Sequence, residues 1–175
     1  MRPRIKWTDR QFDFNFPVGI YPELIERLRG VPARLDEHVK ALPHEVLTNR
    51  YDNRWSIQEN AGHLLDLESL VQQRIDEYVA GAEQLHAADM TNRKTFEANH
   101  NDLPISRILD SFRDERMATV ARLDSLSDEV FARTAIHPRL NVPMRLVDML
   151  FFQAEHDDYH LTRINELIKL LNRPV

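Results

Sequence analysis

The chain of 175 residues contains no cysteine, and this absence removes several classes of function. Without cysteine the chain cannot form a disulfide bond, a thiolate zinc site or a cysteine nucleophile. Any thiol chemistry would need a thiol from another molecule. Glycine is also scarce, with four residues that do not cluster. Neither a P-loop nor the glycine-rich fingerprint of a dinucleotide site is present, so ATP and NAD are poor candidates for ligands.

The sequence also lacks an excess of positive charge and long apolar segments. It has 23 basic and 28 acidic residues, for a formal net charge of −5, so no broad basic surface would attract nucleic acid. A local group of arginines could still hold a small anion, and the candidates are Arg139, Arg145 and Arg163. No apolar stretch is long enough to form a signal peptide or to span a bilayer. We therefore expect a cytoplasmic protein that binds neither nucleic acid nor membranes.

What the sequence does contain is a strong helical pattern. Apolar residues recur at steps of three and four in four long segments, as they do in amphipathic helices. The predicted helices span about 21–42, with a break at Pro32, then 56–81, 105–125 and 144–171. We therefore predict an all-α fold, an antiparallel four-helix bundle over residues 21–175.

The segments between and before these helices have other compositions. Residues 1–20 are aromatic and irregular, and we interpret them as an N-terminal arm that covers the bundle. The polar connection over 84–103 is predicted as loop with at most one short helix. Pro138 and Pro143 predict a loop before the last helix. No segment shows the alternation of a strand, so we predict no sheet.

The last predicted helix carries two histidines four residues apart, His156 and His160, within a stripe of apolar residues. Residues at this spacing lie about 40° apart around the axis and about 6 Å apart along it, so both rings can reach one point. Imidazole binds zinc, nickel, copper and iron, and a buried imidazole without a partner is costly. The alternative is that the two rings form ordinary hydrogen bonds or face solvent.

A third histidine, His63, flanks the apolar stripe of the second predicted helix. Three neutral imidazoles would leave an open position on a divalent ion, as in catalytic zinc sites. The alternative for His63 is a residue at the edge of the core, bonded to a carbonyl. Four other histidines share no ligand spacing, and we expect them at the surface or in loops: His38, His44, His86 and His100.

Charged residues near the histidines could support such a site. Asp157 and Glu68 lie toward the apolar faces of their helices, and either could orient a histidine through its second ring nitrogen or contact substrate. Each could instead pair with an arginine. Arg163, one turn beyond the histidine pair, is a further candidate for holding a substrate carboxylate, with a solvated charge as the alternative.

Three motifs together resemble the DinB-like superfamily: Trp55–Glu59 (WSIQE), Gly62–Asp66 (GHLLD) and Glu155–His160 (EHDDYH). The similarity extends from about residue 21 to residue 171. The resemblance implies a four-helix bundle, often a homodimer, with a bound divalent ion that is most often zinc or nickel. The implied ligands are His63, His156 and His160.

The resemblance leaves the reaction open, because the superfamily includes bacillithiol S-transferases, a mycothiol-dependent maleylpyruvate isomerase and many proteins named as metal-dependent hydrolases. We prefer transfer of a low-molecular-weight thiol to a small-molecule electrophile. The first alternative is hydrolysis by a metal-activated water, with Asp157 or Glu68 relaying the proton. The second is a non-catalytic metal-binding or stress-related interaction module.

Overall fold

A computed structural model describes residues 4–171 of the chain. The helices, in chain order, are α1 (Tyr21–Arg29), α2 (Val31–Val39), α3 (His44–Leu47), α4 (Ile57–Asp66), α5 (Glu68–Ala80), α6 (Arg93–Glu97), α7 (Ile105–Asp124), α8 (Asp128–Phe131) and α9 (Leu146–Leu171). Two strands complete the fold, β1 (Thr134–His137) and β2 (Val142–Arg145). The predicted all-α four-helix bundle is confirmed. In the part of the chain that the structure describes, no helix is both long and apolar enough to cross a membrane.

Two of the four predicted long helices are each divided into two. The first breaks at Gly30, and Pro32 lies in the first turn of α2, where its missing amide costs no hydrogen bond. The second is interrupted at Leu67, between α4 and α5. Its predicted start is confirmed, because Ser56 and Glu59 form a reciprocal capping box. Its predicted end is confirmed at Gly81, which has a φ of 72°.

The helices contribute to two apolar clusters, and this shows the direction in which each one runs. The first cluster takes residues from α1, α5, the end of α7 and the start of α9. The second takes residues from α2, the starts of α4 and α7, and the end of α9. The first and last helices of the bundle therefore run one way, and the second and third run the other way. Because the second and third are parallel, residues 81–104 must return along the bundle between them.

A buried ionic group lies where the two clusters meet. Arg116 of α7 is 1% exposed. It donates from Nε and Nη2 to Glu68 Oε1, at 2.9 and 2.7 Å, and from Nη1 to Asp157 Oδ2 at 2.6 Å. The three side chains join α5, α7 and α9 across the core. An arginine between two carboxylates satisfies charges that would be costly to bury singly.

The prediction that the chain contains no sheet is wrong. Strands β1 and β2 pair antiparallel, with Thr134 opposite Arg145 and His137 opposite Val142. Pro143 lies within β2, opposite Ile136. Ile136 forms its backbone hydrogen bonds with Glu83 and Leu85, on the side of β1 away from β2. A proline opposite it therefore costs no ladder hydrogen bond. The loop predicted from the two prolines is thus confined to the turn 138–141.

The described part of the N-terminal segment, residues 4–20, packs on the first apolar cluster. Its aromatic side chains include Trp7 and Phe12, whose rings lie 4.9 Å from the ring of Phe152 on α9. The long connection over 84–103 contains α6 and is otherwise mostly irregular, as predicted. Both segments reach the same side of α9, and this placement matters for the site.

Candidate metal centre

Three histidine rings meet between α4 and α9. The ring centroids lie 4.6 Å apart for His156 and His160, 4.8 Å for His63 and His160, and 5.4 Å for His63 and His156. One nitrogen of each ring lies within 4.8 Å of one nitrogen of each of the others. All three residues are buried. The structure thus brings together the three histidines that were candidate ligands in the sequence, in an arrangement that could hold a metal ion.

Two of the rings are each held by a hydrogen bond through Nδ1. His160 Nδ1 lies 2.9 Å from Asn60 Oδ1, and the amide of Asn60 is oriented by donating to the carbonyls of Trp55 and Ser56. The Asn60 oxygen can only accept, so His160 donates from Nδ1 and keeps the lone pair of Nε2 free. His63 Nδ1 lies 3.0 Å from the Thr95 hydroxyl of α6. Such outer contacts fix the orientation of ligand histidines.

The third ring supplies an independent reason to consider an ion. His156 Nδ1 is buried and has no hydrogen-bond partner among residues 4–171. A buried polar atom without a partner carries an uncompensated loss of hydration. Three neutral nitrogen donors suit zinc and nickel, so the residues present fit a divalent ion.

The three rings are neutral at ordinary pH. Burial, followed by the charge that His156 would carry, lowers the pKa of His63 to about 3. Burial, with the nearby Arg116 and Arg139, lowers the pKa of His156 to about 3. Burial and the other two rings lower the pKa of His160 well below its usual value. No proton has to leave before these nitrogens can bind a cation.

The histidines line one part of a cavity of about 480 Å³. Two tryptophans flank them: Trp7 lies edge-on to His156 at 5.0 Å, and Trp55 lies 4.7 Å from His63. More of the wall comes from α5, from the long connection over 87–92, from the hairpin and from other residues of α9. The cavity is large enough for a small molecule next to an ion.

The other predicted site residues lie elsewhere. Glu68 and Asp157 are bonded to Arg116, and neither is hydrogen-bonded to a histidine ring. Pairing with an arginine, the alternative considered for both, is the arrangement found. Arg163 forms a 3.5 Å ion pair with Glu166 and does not line the cavity.

The three arginines considered for binding an anion, Arg139, Arg145 and Arg163, also differ in whether they reach the cavity. Arg145 is paired with Asp148, at 2.6 Å. Arg139 alone of the three lines the cavity.

His100 lies in the connection before α7, in line with the expectation of a surface or loop residue, but it is buried. It is 3% exposed, and its Nε2 lies 2.8 Å from Asp66 Oδ2. The ring packs against Gly62, whose missing side chain leaves room for it on α4. His44 and His86 are exposed, as predicted, while His38 is half-buried and lies 3.2 Å from Asn165.

Several residues of the site were missed in the sequence: Trp7, Asn60, Arg74, Thr95 and His137. Asn60 had a usable signal, since it lies one turn before His63 on the same face of α4. Arg74 lies on the predicted second helix, but three turns beyond His63, so no spacing related it to the histidines. Trp7, Thr95 and His137 come from segments without a long helical period.

The fold and the site together define the class of this protein: it is a helical bundle with a candidate metal centre of three buried histidines. The chain belongs to the DinB superfamily, which it matches over residues 27–164. No curated relative matches the sequence.

Two solved structures have the same fold. YfiT from Bacillus subtilis, described as a probable metal-dependent hydrolase with an unusual four-helix bundle topology, superposes with a TM-score of 0.80 at 20% identity. The match covers 94% of this chain and 95% of YfiT. A mycothiol-dependent maleylpyruvate isomerase superposes with a TM-score of 0.67 at 8% identity, over 86% of this chain and 61% of the isomerase.

Proposed function

We propose that this protein is a metal-dependent enzyme that transfers a low-molecular-weight thiol to an electrophilic small molecule. The observation that carries the proposal is the buried group of three neutral histidines in the wall of a cavity of about 480 Å³. The fold shared with a probable metal-dependent hydrolase and with a mycothiol-dependent isomerase supports it.

His63, His156 and His160 would hold the ion, with zinc or nickel as the preferred metals. Once bound, the ion would supply the positive charge that keeps a thiol in its reactive, deprotonated form. Asn60 and Thr95 would keep the rings of His160 and His63 in place. The chain has no cysteine that could compete with the incoming thiol.

Thiol transfer suits the site better than hydrolysis, because hydrolysis is helped by a free base near the attacking water. Glu68 and Asp157 are both held by Arg116, and so cannot readily relay a proton. Asp89 lines the cavity, but its carboxylate accepts hydrogen bonds from the amides of Thr91 and Arg93. A thiol needs less help, since its unperturbed pKa of about 8.5 lies far below that of water, at about 15.7.

The reaction balances with the two substrates alone. The thiol sulfur forms a new bond to the electrophilic carbon, the electrophile loses its leaving group, and the thiol proton is released to solvent. Trp7 and Trp55 flank the histidines, and their indole rings would limit access of water to this bond-forming step.

The test uses purified protein loaded with zinc or nickel. Cysteine, glutathione, coenzyme A, bacillithiol and mycothiol are each offered with monochlorobimane, and 4-nitrophenyl acetate is offered without thiol. We expect metal-dependent, saturable formation of a bimane adduct with at least one thiol. His160→Ala should abolish it, and the exposed His44→Ala should not.

Two results would overturn the proposal. Ester cleavage without thiol adduct formation would favour the hydrolase. Stoichiometric metal binding with neither reaction would favour the metal-binding module. The homodimer and the cytoplasmic location expected from the sequence stay predictions.

A further inference from the structure

The cavity beside the histidines contains a second group of side chains, which are hydrogen-bond donors that form no ion pair with a carboxylate in the described residues. The group consists of Arg74 from α5 and of His137 and Arg139 from the hairpin, and all three line the cavity. None of the three takes part in the reaction proposed above.

Arg74 is a buried cation without a carboxylate partner. It is 4% exposed. Its Nε and Nη2 donate to the His86 carbonyl at 3.0 and 2.8 Å, and its Nη1 reaches the Met149 sulfur at 3.7 Å. Within residues 4–171 it forms no ion pair. The nearby Glu77 instead accepts from the His86 amide at 2.7 Å.

Arg139 also lacks a counter-ion in the part of the chain described here. Its Nη1 reaches only the Thr8 carbonyl, at 3.4 Å, and its Nη2 is buried without a partner. The guanidinium lies over the rings of Phe152 and Trp7, with centroids 5.4 and 5.9 Å away. Trp7 in turn contacts His156, so one side chain separates Arg139 from the histidine group.

His137 adds a neutral donor to the two cations. Its Nδ1 accepts the Leu140 amide at 3.2 Å, which places the proton of the neutral ring on Nε2. That Nε2 is buried and has no partner among the described residues. Burial, with the charges of Arg74 and Arg139, lowers the pKa of His137 to about 4, so the ring stays neutral.

We propose that Arg74, His137 and Arg139 form a subsite that binds a carboxylate of the substrate or of the thiol. Two partly desolvated guanidinium groups without a counter-ion are costly to bury, and an anion would offset that cost. A guanidinium matches the planar carboxylate with two parallel hydrogen bonds. The inference rests on the proposed function and narrows its substrates to carboxylic acids.

Metal-free protein gives a test that does not depend on catalysis. Succinate, its dimethyl ester and inorganic phosphate are titrated into ¹⁵N-labelled protein, and amide shifts in 72–76 and 137–142 are followed. We expect succinate to bind saturably and the ester not to bind. Arg74→Met and Arg139→Met should each weaken the binding of succinate at least tenfold. The control Arg122→Met, which alters an exposed ion pair with Asp76, should leave succinate binding unchanged.

Zinc uptake by the same variants separates this proposal from the proposed function. Arg139→Met should bind zinc as the natural protein does, because it leaves all three histidines in place. If zinc binds but succinate does not, or if succinate binding is unchanged in both arginine variants, the subsite is refuted while the metal centre stands. Preferential binding of phosphate would refute the carboxylate assignment. Arg74 is buried, so replacing it puts folding at risk. If Arg74→Met does not fold, Arg139→Met still tests the subsite, because Arg139 is only half-buried.

Discussion

Gly62 and His100 pack so closely that the glycine has no room for a side chain. A Cβ built on Gly62 would lie 2.3 Å from two ring atoms of His100. The ring is in turn bonded to Asp66, one turn further along α4. The contact fixes the residues before α7 against the helix that carries His63.

We predict that Gly62→Ala destabilises the protein. Alanine in a helix is worth about 0.5–1 kcal/mol over glycine, but overpacking against the ring costs about 1–3 kcal/mol, so the clash dominates. Urea unfolding measures the change. Gly19→Ala, which meets nothing within 4 Å, is the matched control. Adding His100→Ala should recover part of the loss, and strictly additive effects would contradict the contact.

Binding of an ion by the three histidines should stabilise the fold. A ligand that binds only the folded state contributes about 2.7 kcal/mol at a hundred times its dissociation constant. The melting temperature should therefore rise with zinc concentration in the natural protein and in His44→Ala. His63→Ala should melt at the same temperature with and without zinc, and a shift like that of the natural protein would remove His63 from the site.

The two tryptophans of the chain should report the ion directly. Trp7 and Trp55 each contact a histidine of the group, so a bound paramagnetic ion such as Ni²⁺ would lie close to both indoles. We expect stoichiometric quenching of fluorescence by nickel, with saturation at one ion per chain. Trp7→Phe and Trp55→Phe should each retain part of the quenching. Quenching by only one indole would contradict this arrangement.

Removing Arg116 should be among the most damaging single changes in the core. Arg116→Met leaves the Glu68 and Asp157 carboxylates buried without their cation, and breaking such a group costs about 3–5 kcal/mol. Arg122→Met breaks an exposed pair on the same helix and should cost at most about 1 kcal/mol. Denaturant midpoints compare them, and equal losses would show that the buried group contributes little.

The metal-free protein should lose stability as the pH falls below about 6.5. His63 and His156 have a pKa of about 3 in the folded state and near 6.5 when unfolded, so the unfolded state binds more protons below pH 6.5. Their contribution is complete above pH 6.5 and is lost as the pH falls toward 3.

The slope of this loss is measurable. Each such histidine adds up to about 1.4 kcal/mol per pH unit to the slope of the unfolding free energy against pH. Unfolding free energies between pH 4.5 and 6.5, with a chelator present, should show a shallower slope for His156→Gln than for the natural protein. His44→Gln should leave the slope unchanged. An unchanged slope in His156→Gln would mean that its ring is not shielded from protons.

Features that depend on neighbours along one helix were readable in the sequence. The start of the second predicted helix at Ser56 and its end at Gly81 follow from local capping residues. The shared face of His156 and His160 follows from a rise and turn that every α-helix has. The helical period also marked Glu68 and Asp157 as facing inward. It could not show that Arg116 lies between them, because that arginine belongs to a third helix.

Contacts between segments were decided only in the tertiary structure. The parallel course of the second and third helices brings the long connection back along the bundle, and with it Thr95 reaches His63 and His100 reaches Asp66. The hairpin, hidden by its two prolines, carries His137 and Arg139 to the cavity. Local sequence encodes which face of a helix is apolar. Which segment covers that face depends on how the whole chain buries its surface, and no spacing within one segment contains that information.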